Sequence, residues 1–301
     1  MMAERTHRMH HYLWHAVRDG WLSFSEQTRA IVKAQGWEPP RPSLNGDEPI
    51  FDNASGEDFL YMHREMIGAV NKKLAEIRDP SYPKVEGWPA PPDLNDADYP
   101  VAPAYSVGKP DDDASIAKCK TEAFFDNTIM KWARAYTSND FLKARSLGEL
   151  GSRIEFTIHN CMHVRWSANP PAIRPDVEPD AADAINTSWD DPAYNFLNDT
   201  YSAHVNPIFW KLHGWVNRCI DLWMQSNNNE GPVPWTGTWV GPMPSDAPAT
   251  SVFAHLRKEN TMRGPHHHDH MTAMIAVAKE LRSTGFACHF YDNIKVPPLP
   301  L

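Results

Sequence analysis

Apolar side chains recur at near-helical spacing through most of the chain and almost nowhere alternate with polar ones. Met9, Leu13 and Val17 predict a helix over 4–19. A second follows over 23–35, with Ser25 as its N-cap and Gly36 just past its end. A long helix is expected over 57–78, ended by Asp79-Pro80 because the residue before proline avoids helical angles. Helical patterns continue over 115–136, 139–145 and 146–167, the last stopping before Pro170-Pro171. The strongly apolar stretch 204–226 runs out in Ser-Asn-Asn-Asn-Glu-Gly, and one more helix is expected over 269–283. Between them, 38–56, 79–113 and 168–186 are rich in Pro and Asp and read as connections. The 79–113 stretch is expected to be an ordered loop, since Trp88, Tyr99 and Tyr105 give it apolar surface to bury. The fold class predicted is mainly α, with long Pro-rich loops. One domain is expected over 1–301, with its core over about 4–226 and a C-terminal segment, 227–301, able to cover a site.

Composition narrows the partners. The net charge is −9, which argues against a nucleic-acid backbone or an anionic membrane surface. No run approaches the length of a membrane span, and no signal-peptide pattern follows the N-terminus, so a cytoplasmic location is expected. Cys119, Cys161, Cys219 and Cys288 form no paired motif, which makes both a zinc ribbon and a disulfide scaffold unexpected. The 15 histidines are the feature that changes the picture.

His11 and His15 are four residues apart, so they leave one face of the first helix together. His159 and His163 repeat that spacing on another helix. His63 and His213 each add one imidazole from a further helix. The result is two sets of three: His11, His15 and His63, and His159, His163 and His213. Neutral imidazoles with almost no carboxylate or thiolate suit copper, zinc, iron or nickel, and the Irving–Williams order favours copper.

These motifs resemble the type 3 copper proteins: tyrosinases, catechol oxidases, and arthropod hemocyanins with their related phenoloxidases. His10-His11-x-x-Trp14-His15 is similar to the hemocyanin and phenoloxidase copper-A helix, and Phe59-Leu60-Tyr61-Met62-His63 to the segment of the third copper-A ligand. His159-Asn160-x-x-His163 resembles the copper-B pair, and Pro207-x-Phe209-x-x-Leu212-His213 the segment of the last ligand. The resemblance spans about residues 9–225. Four features depart from the family patterns. Ala54 stands where tyrosinases place a histidine, the gap from His15 to His63 is longer than in hemocyanins, and Asn206 and Asn217 stand where aspartates are usual.

The resemblance implies a helical-bundle core of tyrosinase/hemocyanin type with two copper ions on those six histidines and O2 as co-substrate. The implied function is o-hydroxylation of monophenols, or oxidation of catechols or o-aminophenols to quinones or quinone imines. The implied partners are a small phenolic or aminophenolic substrate and a copper-delivery protein. The alternative is a hemocyanin-like carrier that binds O2 reversibly without turnover, and a third reading is a His-rich helical protein without copper. Glu155 and Asn160 are the candidate catalytic pair, holding the water that takes the phenol proton. Glu155 also reads as a surface carboxylate paired with Arg153 or Arg165, and Asn160 as a group that only orients a ligand. Phe209 is expected between the ligand rings. His266, His267, His268 and His270 form either an accessory metal site or an exposed loop before a helix. His7, His10, His204, His255 and His289 read as structural. The tail beyond Phe286, or the 79–113 loop, is expected to shape or plug the pocket.

Overall fold

The computed structural model describes residues 2–93, 95–169, 172–174, 185–242, 270–286 and 288–293. Its order is α1 (Arg5–Gly20), α2 (Glu26–Ala34), a two-residue hairpin β1 (Leu44–Asn45) and β2 (Glu48–Pro49), α3 (Ser55–Ile77), α4 (Pro110–Cys119), α5 (Glu122–Phe124), α6 (Met130–Ala135), α7 (Asn139–Lys143), α8 (Leu147–Ile154), α9 (Asn160–Trp166), α10 (Pro207–Ser226) and α11 (His270–Thr284). The described chain is mainly helical, as the periodicity predicts. Among the described residues no helix is long and apolar enough to cross a membrane.

α1 is the central rod, buried on every side from His7 to Gly20. A helix buried all round must satisfy its polar side chains locally. Arg8 donates to Ala3 O, Tyr194 O and Asp191 O, and Arg18 to Glu155 and Ser55 O. α3 lies against α8, and two glycines set how closely. A Cβ on Gly56 would fall 2.1 Å from Gly148 O and Ser152 N, and one on Gly151 would fall 2.1 Å from Gly56 O. The two backbones therefore touch, which draws the helix carrying His63 against the run carrying His159. α10 packs on α3 and α7, α9 on α4, and α11 on α1 and α2.

Several boundaries differ from the sequence reading, each for a local reason. α4 begins at Pro110, inside the expected 79–113 loop. Proline at the first helical position needs no N–H partner there, and Asp111–Asp113 favour the positive end of the helix dipole. The expected 115–136 helix breaks at Lys120, and Thr121 caps the next piece by accepting from Phe124 N. α10 starts at Pro207 rather than 204, with the Asn206 side chain accepting from Ile208 N. The expected 146–167 helix is one rod, but a π turn over Glu155–His159 joins α8 to α9. No periodicity argument announces such a turn. Loop 79–106 is ordered against the helices: Trp88 N donates to Lys211 O, Trp166 Nε1 to Tyr99 O, and Tyr105 Oη pairs with Ser167 Oγ. His255, His266, His267 and His268 lie outside the described residues.

Candidate metal centre

Four elements converge their imidazoles in the middle of the molecule. α1 supplies His11 and His15, α3 supplies His63, the π turn and α9 supply His159 and His163, and α10 supplies His213. All six are buried, none more than 3% exposed. In one group, His11, His15 and His63, ligand nitrogens all lie within 4.8 Å of one another. In a second, His63, His159 and His213 do the same, so His63 stands in both. The His63 and His213 rings stack at 4.3 Å. His163 is in neither tight group; its ring lies 4.5 Å from that of His159 and 5.3 Å from that of His213.

The hydrogen bonds fix which nitrogen faces inward. Nδ1 of His11 donates to Thr200 O at 2.6 Å, that of His63 to Phe59 O at 2.9 Å, that of His163 to Leu197 O at 2.8 Å and that of His213 to Phe209 O at 2.8 Å. His159 Nδ1 donates to the Asn160 side-chain oxygen at 2.9 Å. Each of these neutral rings therefore carries its proton on Nδ1 and turns the Nε2 lone pair to the centre. Nε2 of His11, His15, His63 and His163 is buried with no hydrogen-bond partner. Nε2 of His159 and His213 face each other at 3.1 Å. Two lone pairs at that distance repel, and buried orphan acceptors are costly. Protonation is no remedy, since burial holds His159 down to about 3 and His11 to about 4, and keeps His15, His63, His163 and His213 well below the ordinary value. A cation bound by the six nitrogens satisfies every one of them. The residues fit metal ions, and an imidazole-only donor set suits copper, zinc, iron or nickel.

Phe209 lies between the rings, stacked on His213 at 3.8 Å and within 6.0 Å of His11, His63 and His163. Glu155 is buried and paired with Arg18, at 2.6 and 3.1 Å, not with Arg153 or Arg165. Arg153 reaches Glu149 instead, and Arg165 the carbonyls of Cys119 and Thr121. Burial raises Glu155 to about 7, against the opposing pull of Arg18. Its Oε1 stands 4.0 Å from His15 Nδ1. Asn160 carries its oxygen to His159, the orienting half of its two readings. Glu155 and Asn160 line one small cleft with His15, Asp19, Phe156, Thr200, Cys288, His289 and Phe290.

That cleft has no room for a water molecule. Phe290 closes it, stacked on His163 with ring centroids 3.7 Å apart and edge-on to His159 and His15. Among the described residues the tail therefore supplies the cover, and none of 79–93 or 95–106 lines the cleft. Of the remaining histidines, His10 sits against Val240 O and His270, His204 against Met2 O and His11, and His289 against Asp292 and Tyr291. Sequence reasoning missed Arg18, whose only signal is a cation on an otherwise buried helix face. It also missed the carbonyls of Leu197 and Thr200, which no side-chain pattern reveals.

No protein-family model matches this chain, and no curated protein matches it.

Proposed function

We propose that the chain is a dinuclear copper oxidase with a helical bundle of tyrosinase/hemocyanin type, oxidising phenols, catechols or o-aminophenols with O2. The observation that carries the reading is the convergence of six buried imidazoles, five of which are held by Nδ1 hydrogen bonds that turn Nε2 inward. His11, His15, His63, His159, His163 and His213 would hold two copper ions, which when bound supply the O2 chemistry. The protein's part is to orient, exclude and move protons. Carbonyl acceptors and Asn160 fix the tautomers. Phe209 spaces the rings. Glu155, held by Arg18 and raised to about 7, is poised near neutrality to take a phenolic proton.

The test is oxygen uptake by copper-reconstituted protein given a monophenol, a catechol or an o-aminophenol. Uptake with any of them, abolished in His63→Ala, supports the oxidase, and the preferred substrate names its subclass. A second reading, reversible O2 binding without turnover, is favoured by the Phe290 cover, which leaves no space for a substrate ring. Copper-loaded protein that takes up O2 and releases it unchanged, with no substrate consumed, would decide for the carrier.

A further inference from the structure

The segment Phe196–Ala203 is a short strap with no side chain in the metal centre, yet three of its backbone carbonyls face the site or its cover. Leu197 O accepts from His163 Nδ1 at 2.8 Å, and Thr200 O from His11 Nδ1 at 2.6 Å. Asn198 O accepts from the backbone N of Phe290 at 3.2 Å. Thr200 Oγ1 donates to Cys288 O at 2.8 Å, and Asp199 bridges to His289. One strap thus holds a ligand from each histidine cluster and the chain segment that covers them.

Its shape is fixed by a buried hub. Asp199 is fully buried and accepts from Arg174 Nε at 2.9 Å, Arg174 Nη2 at 3.1 Å, Tyr194 Oη at 2.8 Å and Tyr201 N at 3.0 Å. Asp199 O closes the turn from behind, accepting from Ser202 N and Ala203 N. A bidentate, fully buried pair tolerates little displacement, because moving either partner strands a charge. The other two carbonyl-anchored ligands are built differently. His63 and His213 donate to Phe59 O and Phe209 O, four residues back in their own helices. Their orientation needs no strap.

We propose that Asp199 is a positioning residue for His11 and His163, one ring from each cluster. Through the strap it sets the ring orientation of His11 and His163 together and ties both to the docking of Phe290. The consequence for metal affinity rests on the copper reading; the coupling itself does not.

The experiment follows the Nδ1–H protons of histidine by nitrogen-15 NMR in the metal-free full chain. In Asp199→Asn, exchange of the His11 and His163 protons with water should quicken together, roughly tenfold or more as the strap opens locally. The His63 and His213 protons should keep their wild-type rates. Where Asp199→Asn does not fold, Tyr194→Phe removes two hydrogen bonds, from Tyr194 Oη to Asp199 and from Arg174 N to Tyr194 Oη, leaves the Arg174–Asp199 pair, and should give the same pairing at smaller amplitude. A folded variant in which only one of the two quickens, neither does, or all four do, overturns the proposal. Titration with Cu(I) against a chelator then reads the consequence: both copper equivalents should weaken in parallel, by about 10–100-fold. Paired proton exchange without copper binding in the wild type would sink the copper reading and leave the strap standing.

Discussion

His11, His15 and His63 come from two unbroken α-helices and meet with ligand nitrogens within 4.8 Å of one another. His159 and His163 come from a rod interrupted by a π turn, and their cluster is less evenly drawn. His159 Nε2 is already 3.1 Å from His213, while His163 stands outside the tight group under the Phe290 ring. The first cluster is evenly spaced and touched by Phe290 only at the edge of His15; the second is compressed, with Phe290 stacked on His163. An uninterrupted helix with ligands at i and i+4 delivers a chelating pair by geometry alone. A π turn re-aims the residues after it and is frequent at functional sites, so the second pair depends on what packs around it. Metal should therefore hold first and most firmly in the first cluster.

The largest expected effect tests the residue the clusters share. His63→Ala removes a nitrogen from both groups, so firm binding of both copper equivalents should fail. Oxygen uptake should drop more than about 100-fold, beyond the loss that follows removal of a mere outer partner. His213→Ala should leave one copper on His11, His15 and His63. Metal analysis after gel filtration separates the two variants, and equal copper content in both would break the comparison.

Acid should be the next strongest lever on the metal-free chain, and it acts on both clusters. Burial keeps these imidazoles neutral when folded, whereas the unfolded chain protonates them near the ordinary value of about 6.5. A lowered folded pKa gives stability that is present above the unfolded value and lost as pH falls toward about 4 for His11 and about 3 for His159. Each imidazole then costs at most about 1.4 kcal/mol per pH unit. Urea unfolding at about pH 7 and about pH 5, on either side of the unfolded value, should show a steep loss of stability, shallower by one such increment in His15→Gln and in His163→Gln. A flat profile would mean the rings are not buried neutral groups.

How much of this was legible beforehand follows from what a sequence encodes. The convergence of the six histidines around Phe209 was readable, because side-chain spacing on helices is a matter of residue type and register. The mainly helical fold was readable for the same reason. Ala54, where tyrosinases have a histidine, sits at φ 61° just before α3 and feeds the chain into the helix that carries His63. The π turn, the Arg18 partner of Glu155 and the strap carbonyls were not readable, since each depends on contacts between distant segments. Aromatic content marks the tail and the 79–113 loop alike as a cover, and only the fold selects Phe290 on His163.

Phe290→Ala sharpens the contrast between the cluster under the Phe290 face and the one it meets only edge-on. Phe290 is 2% exposed, so its truncation should cost about 3 kcal/mol of stability and lower the melting temperature. If the cover keeps most molecules closed to substrate, uptake with catechol should rise roughly tenfold as the open fraction grows. A variant that melts lower yet turns over no faster would remove the gating role and leave Phe290 a packing residue. Copper affinity of the first cluster, which Phe290 touches only at the edge of His15, should change less than that of the second.

The smallest effect concerns Asn160, and it discriminates between the clusters most finely. His159 is the ligand whose Nδ1 rests on a neighbour's side chain, whereas His11, His63, His163 and His213 rest on carbonyls. Asn160→Ala deletes that acceptor. The Glu155 backbone also lies within hydrogen-bonding reach of His159, so part of the orientation survives. The expected loss in copper affinity is below about tenfold, the low end for removing an outer partner. It should fall on the second equivalent alone, read by Cu(I) titration against a chelator. Asn160→Asp keeps an acceptor oxygen and should restore the affinity, even though it adds a buried charge. Loss from the first equivalent, or no rescue by aspartate, would show that Asn160 serves packing near the cleft rather than the orientation of His159.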